Sequence, residues 1–509
     1  MLPGTSKRQP SLVVLCVDGG KAAWVDEVGL GDFSQLFREK QSSDVYELAT
    51  VFPSSTAPAH ASFLTGLEPE DHGIVGNRFW EDESVRAIRN ASNNPLLSIH
   101  AYENHSMYTS SLLNDLDSAG YSWAAVHFPH TFSTSSPLGS PSVYCIYAPS
   151  RTIVLGKDGS AKASVFFGED VEFSFDSVTG RNSCVISVDG RAWYLGADMQ
   201  RFQFSIEAGP LSVGARYRGN LEGPDVAIEL GTSVLTLATP NFDAPSCKED
   251  GPCSLAAEYS LGEGVSFFES PRIEWITFTA LRAVEQFVPE VLFVRYNQVD
   301  HAQEFLYWYL INGNADQRLK ARELLLSTYR KIAENIETLA KSFGHETKFL
   351  FFSDHGIDWV SKHVNPNVAL KRLGLDHDAI FQGDSNCSYL YSERQIGVED
   401  IGRIETFVKD HIPGVSVGSI GSNSQARSRS RRLGQMTLIA GSNLEFRYEQ
   451  VGLIREVCSA SHGDSPARSE MSGFFRTYGF DTGGITSVRS ITQLREFIQR
   501  ELNLGGLLP

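Results

Sequence analysis

Three apolar runs that each lead into a carboxylate limit what this chain can fold into. Leu12–Val17 ends in Asp18-Gly19-Gly20, Val291–Tyr296 is closely followed by Asp300, and Lys348–Phe352 leads into Ser353-Asp354-His355-Gly356. A run without polar alternation is a strand buried on both faces, as in a parallel sheet covered by helices. Ligands of such open sheets bind beyond the carboxyl ends of the strands. Three acids converging there repel one another unless a cation neutralises them. Taken singly, each is most simply a strand-end or helix-capping aspartate. Taken together, with His355-Gly356 and a later Ser461-His462-Gly463, they form a donor set suited to divalent metals.

Between about 130 and 270 the texture changes. Val165–Phe167, Val171–Phe175, Cys184–Val188, Phe202–Ile206, Ser212–Tyr217 and Ser233–Leu237 are short alternating segments separated by Gly, Asp and Asn. They read as antiparallel strands of an inserted β-rich subdomain, 130–270. It divides a catalytic core into a first half, 1–129, and a second half, 271–509. Helices are expected over Trp275–Phe287 and 317–343, and a further strand over Val45–Phe52.

Composition excludes some functions. The chain has 44 basic and 61 acidic residues, a net charge of −17, so it lacks the cationic footprint of a protein that coats a nucleic-acid polymer. No stretch approaches the roughly 20 apolar residues of a membrane span. Leu12–Val17 is too short for the core of a secretory signal. The seven cysteines form no CxxC pair, and Cys247 and Cys253 lack the two further ligands of a zinc knuckle. The expectation is a cytoplasmic protein with free thiols and no membrane partner.

Thr56 precedes Ala57-Pro58-Ala59-His60, where a proline near the first helical position makes it a candidate N-cap. Its hydroxyl would lie at the positive end of a helix, where anions bind. An ordinary capping threonine explains the local sequence as well.

The residues from Phe52 to Asn77 resemble the nucleophile block of the type I phosphodiesterase/nucleotide pyrophosphatase family, in the alkaline phosphatase superfamily. Val17-Asp18-Gly19, Ser353-Asp354-His355-Gly356-Ile357 and Ser461-His462-Gly463-Asp464-Ser465-Pro466 are similar to its metal-binding motifs, in the same order. The resemblance omits about 130–270. It implies an α/β fold, an alkaline-phosphatase-like mixed sheet sandwiched between helices, carrying the β-rich insertion. It also implies two divalent metals, usually zinc. One would be held by Asp18, Thr56, Asp354 and His355, the other by Asp300, His462 and a residue four after Asp300. Thr56 matches the nucleophile that carries a covalent phosphoryl group, and Asn77 the asparagine that contacts a phosphoryl oxygen. The implied substrate is a small phosphoester or a phosphonate.

Two departures stand out. The family's Asp-x-x-x-His reads Asp300-His301-Ala302-Gln303-Glu304 here. Glu304, one helical turn on, is the candidate ligand, with His301 as its rival. A carboxylate there hardens the site and opens it to manganese or iron. A second metal site lost altogether, leaving a binding protein, is the competing outcome. The other departure is Ala57, where the family commonly has an aromatic that stacks on a base. Threonine also serves phosphonoacetate hydrolases, whereas the sulfatase C/S-x-P-x-R pattern is absent. His60 and His72 are expected to support ligands rather than ligate. His363 and the basic stretch Ser422–Arg432 read as solvated loop residues.

Overall fold

The computed structural model describes residues 9–28, 43–81, 83–91, 99–134, 138–148, 151–154, 160–164, 172–177, 184–188, 191–196, 200–206, 209–218, 227–230, 233–242, 271–418, 431–448, 450–480 and 487–504. Val165–Phe167, Cys247, Cys253 and most of Ser422–Arg432 lie outside them. The three apolar runs form adjacent parallel strands, with Leu12–Val17 between Val291–Tyr296 and Lys348–Phe352. Trp123–Val126 continues the parallel set beyond Val291–Tyr296. Gly473–Tyr478 runs antiparallel on the other side, next to Tyr46–Leu48 at the edge.

Both faces are covered, which explains the absence of alternation. Val13, Leu15 and Val17 join the core formed with the helices Ile273–Phe287 and Ala315–Ser342. Leu12, Val14 and Cys16 face the opposite core, with the helices Thr56–Thr65 and Leu494–Glu501. The result is the mixed sheet between helices that the sequence implied. Val45–Phe52 shortens to Tyr46–Leu48, because the chain then turns to deliver Ser54, Ser55 and Thr56.

The β-rich stretch does not stand apart from this sheet. Ser142–Ala148 pairs in parallel with Trp123–Val126, and Ser233–Ala238 pairs with Ser142–Ala148. Among the described residues the central sheet reaches twelve strands. A separate antiparallel sheet runs from Ser160–Ser164 to Arg191–Leu195. After the core, a three-stranded sheet of Leu444–Phe446, Asp358–Val364 and Ile454–Ser461 delivers His462. Among the described residues no helix is long and apolar enough to cross a membrane.

Candidate metal centre

The helix Thr56–Thr65 begins after Ser55, whose backbone is extended (φ −129°, ψ 157°). Thr56 is therefore the first helical residue, not the cap as its sequence suggested. Its hydroxyl is free of capping and lies 3.1 Å from Nε2 of His355, in a site where Thr56 is only 3% exposed. Asn77 sits beside it. Its Oδ1 accepts from the Ala57 amide at 2.8 Å, and its own amide donates to Oδ2 of Asp384 at 2.9 Å. A helix start offers several unpaired N–H groups, and Asn77 satisfies one of them.

Parallel register brings Asp18 and Asp354 to one edge. Cys16 pairs with both Arg295 and Phe352, so the residues beyond them emerge together. Asp354 accepts from the Gly19 amide at 3.3 Å and lies 3.3 Å from Nδ1 of His60. His355 Nδ1 meets the Gly356 carbonyl at 2.9 Å, an acceptor that keeps the proton on Nδ1. Nε2 then presents a lone pair, 3.3 Å from Asp18 and 3.5 Å from Asp354. Such carbonyl contacts orient metal-binding imidazoles. Gly19 has φ +66°, and a Cβ there would come within 2.9 Å of Asp300, so only glycine lets the two segments close.

Asp300 is carried differently. It is the third residue of the helix Gln298–Asn312, where a negative charge suits the helix dipole. His462 follows Ile454–Ser461, and its ring lies 4.3 Å from that of His355. Two sets of ligand atoms fall within 4.8 Å of one another: Asp18, Asp354, His355 and Asp300, His355, His462. A third set joins Cys16, His60 and Asp354 beneath them. None of these sets includes Glu304 or His301. Glu304 is half-buried one turn beyond Asp300, and His301 Nε2 lies 3.5 Å from the Asn297 amide nitrogen.

The charges are poorly compensated. Burial pushes Asp300 well above the usual carboxylate range, and Asp18, Glu304 and Asp354 add to the shift. Burial also raises Asp18, against the pull of Arg295. Burial would raise Asp354 too, but His355 and His60 outweigh it and hold this carboxyl far below its ordinary value. Glu304 is pushed up to about 7 by burial, with Arg447 opposing and Glu445 reinforcing. His462 falls to about 4 through burial and the neighbouring His355. Among the described residues, Asp18 Oδ1, Asp300 Oδ1, Asp354 Oδ2, His60 Nε2 and His462 Nδ1 are buried without a hydrogen-bond partner. Unsatisfied buried polar atoms cost about 1–3 kcal/mol each, more when charged. Several converging on one space fit a divalent cation.

His72 accepts from the Ile74 amide and meets Ser62, so it braces the nucleophile block, a supporting place of the kind expected of it. Two other residues depart from their sequence reading. His363 is not a loop residue. It lies in the strand Asp358–Val364 and pairs with buried Glu445 at 3.0 Å. Arg432, at the end of the basic stretch, is buried. It donates to the Gly73 and Ser106 carbonyls and lies over Phe79 and Tyr108. Ala57 is enclosed with Ile74, Val75, Phe79 and Tyr389, so position 57 offers no ring to a ligand.

Sequence reasoning missed Arg295, which binds Asp18 through Nε at 2.7 Å and also through Nη2. A lone arginine inside Val291–Tyr296 was the signal. It also missed His127 and His130, both in the left-handed region (φ 56° and 61°) after Trp123–Val126. His127 accepts from the Cys145 amide, and its Nε2 has no partner. His130 meets the carbonyls of Ala57 at 2.8 Å and Glu103 at 3.2 Å.

Residues 12–170 match the family described as type I phosphodiesterase / nucleotide pyrophosphatase. The bis(5'-adenosyl)-triphosphatase enpp4 of Xenopus laevis is 32% identical over 84 residues, 16% of this chain and 18% of that relative. An uncharacterised pyrophosphatase/phosphodiesterase of Schizosaccharomyces pombe is 35% identical over 88 residues, 17% of this chain and 18% of its own length. The matched segment thus spans under a fifth of either relative. Murine ectonucleotide pyrophosphatase / phosphodiesterase 5 superimposes with a TM-score of 0.53 at 13% identity, over 98% of this chain and 96% of that one. The human counterpart gives 0.50 at 13% identity, over 97% and 94%. At such identity the likeness establishes the fold.

Proposed function

We propose that this chain, whose residues 12–170 carry the type I phosphodiesterase/nucleotide pyrophosphatase resemblance, is a metal-dependent phosphohydrolase with Thr56 as nucleophile. One observation carries the reading. The Thr56 hydroxyl stands at a helix start, 3.1 Å from His355, which belongs to both acid–histidine sets. Asp18, Thr56, Asp354 and His355 would hold one divalent ion, and Asp300, Glu304 and His462 the other. Bound ions would supply Lewis-acid charge for the phosphoryl oxygens and lower the pKa of a hydroxyl. Zinc suits the histidines, and manganese or iron suits a carboxylate at position 304.

The chain's own groups do the rest. Thr56 Oγ1 gives up its proton and attacks phosphorus in line, the P–O or P–C bond breaks with the leaving oxygen or carbon taking up a proton, and the phosphoryl group rests on Thr56 until water releases it. Asn77, tied to the Ala57 amide, holds its carboxamide beside Thr56 for a phosphoryl oxygen. With position 57 enclosed, recognition centres on the phosphoryl group rather than on a base. The substrate is a small phosphodiester or phosphonate. Four cysteines, Cys16, Cys145, Cys387 and Cys458, are free, which supports a reducing, cytoplasmic setting.

Thr56→Ala is the test. Hydrolysis of an aryl phosphodiester should fall by about a thousandfold or more, while metal content and melting temperature stay near wild type. Thr56→Ser should keep part of the activity. An alanine variant as fast as wild type removes the covalent mechanism.

A further inference from the structure

Arg295 lies in the middle strand of the parallel set and is 5% exposed. Its Nε and Nη2 both donate to the same oxygen of Asp18, Oδ2, with Nε at 2.7 Å. Nη1 lies 3.4 Å from the Tyr144 hydroxyl, and the Tyr144 ring stacks on Phe132 at 4.4 Å. The guanidinium is thus held from two sides. Asp18 Oδ1 is left without a hydrogen bond, 3.3 Å from His355 Nε2. Asp354, by contrast, is paired with histidines, which carry charge only when protonated.

We propose that Arg295 is a positioning residue, a permanent built-in cation that pins one oxygen of Asp18, presents the other to the divalent ion and competes electrostatically with that ion. The proposal rests on the metal-dependent reading given above. An arginine cannot be neutralised in a protein, so its charge is present whether or not a metal is bound. Two cations sharing one carboxylate oppose each other in a medium of low dielectric. In a thermodynamic cycle, any stabilisation that Arg295 gives the metal-free site and not the loaded one lowers metal affinity by the same amount. The Asp18 side is therefore assembled before metal arrives, at the cost of a weaker grip on the ion.

The experiment compares wild type with Arg295→Gln and Arg295→Lys, titrated with zinc or manganese after chelation and melted with and without metal. Glutamine keeps a donor for Asp18 but no charge. It should bind metal more tightly by about tenfold, within the ~5–150-fold span of coupled sites. It should also melt lower without metal and gain more on metal addition than wild type does. Lysine keeps the charge but loses the two-nitrogen grip on Asp18, so it should lack the roughly tenfold gain in metal affinity expected of Arg295→Gln. If Arg295 only packs, Arg295→Gln will lower both melting temperatures equally at unchanged metal affinity, and the proposal fails. Unchanged or weaker affinity in Arg295→Gln overturns it as well. Should Arg295→Gln stay unfolded even with metal, Arg295→Lys decides, because a tenfold gain in metal affinity with the charge retained overturns the charge argument. A wild-type protein that binds neither metal overturns the phosphohydrolase reading itself, a result distinct from any difference among variants.

Discussion

The Asp18 side of the site grows from the ends of adjacent parallel strands, whereas the Asp300 side is carried by a helix and by a strand of a separate sheet. The first is wired to its surroundings: Arg295 on Asp18, the Gly19 amide and His60 on Asp354, the Gly356 carbonyl on His355. Among the described residues both sides keep buried atoms without a hydrogen-bond partner, Asp18 Oδ1, Asp354 Oδ2 and His60 Nε2 on the first, Asp300 Oδ1 and His462 Nδ1 on the second. Burial and three like charges push Asp300 up, while Asp354 is held down. The first side is tied down by an arginine and backbone groups, while the second rests on the helix and strand that carry it. The contrast follows from position, since sheet hydrogen bonding fixes strand ends and a helix start or a chain crossing between sheets is less constrained.

The largest test breaks this contrast in chelated protein. Asp18→Asn leaves Arg295 buried without its charge partner and should cost about 3 kcal/mol, the lower end for a broken buried pair. Asp300→Asn should do the opposite. A carboxyl raised above its unfolded value contributes stability only below that value, and the contribution is lost as pH rises through the folded pKa. At neutral pH the Asp300 charge is a liability, so asparagine should leave the metal-free protein equally or more stable, by about 1 kcal/mol. Urea melts in chelator measure both. Equal losses would mean that the two sides are not built differently.

The next test concerns ligand identity on the looser side. Glu304→Ala should weaken one metal equivalent by about 10- to 100-fold and spare the other. His301→Ala should leave both in place. Glu304→His should move the preference toward zinc, since imidazole is the softer donor. Metal titration with elemental analysis separates the outcomes. If Glu304→Ala changes nothing while His301→Ala removes a metal, the ligand is His301.

How much of this was legible in the sequence depended on whether the signal was local. Leu12–Val17, Val291–Tyr296 and Lys348–Phe352 are the observed strands residue for residue, because burial on both faces leaves an unbroken apolar run. Glu304 does lie one helical turn beyond Asp300, because both fall in the helix Gln298–Asn312. Pairings between distant segments were not legible. Nothing near His363 announces Glu445, and nothing near Arg432 announces the carbonyls of Gly73 and Ser106. Alternation marked Cys184–Val188 and Ser233–Leu237 as strands, yet it could not say that the second, observed as Ser233–Ala238, would extend the central sheet through Ser142–Ala148. Alternation sets faces, whereas register and partner come from long-range packing. Thr56 missed its helical position by one residue because proline is tolerated anywhere in the first turn, so it cannot fix the cap.

The smallest effect separates the site from the scaffold that braces it. His130 takes no part in either ligand set, yet its ring lies between the carbonyl of Ala57, next to Thr56, and that of Glu103, and when neutral it donates to one of them. Burial lowers its pKa to about 4, although the two carbonyls pull the other way. The unfolded chain then binds the proton more readily than the folded one. Stability from the neutral ring is present above the unfolded value and is lost as pH falls toward 4. Each proton taken up on unfolding contributes a slope of about 1.4 kcal/mol per pH unit. His130→Asn, a residue that tolerates the left-handed backbone, should flatten the acid limb by about that one-proton slope. The flattening should be the same with metal and in chelator, because His130 lies outside the ligand sets. Stability measured by urea from pH 7 to 4 gives the difference directly. A slope that changes only when metal is present would tie His130 to the metal centre and move the boundary between brace and site.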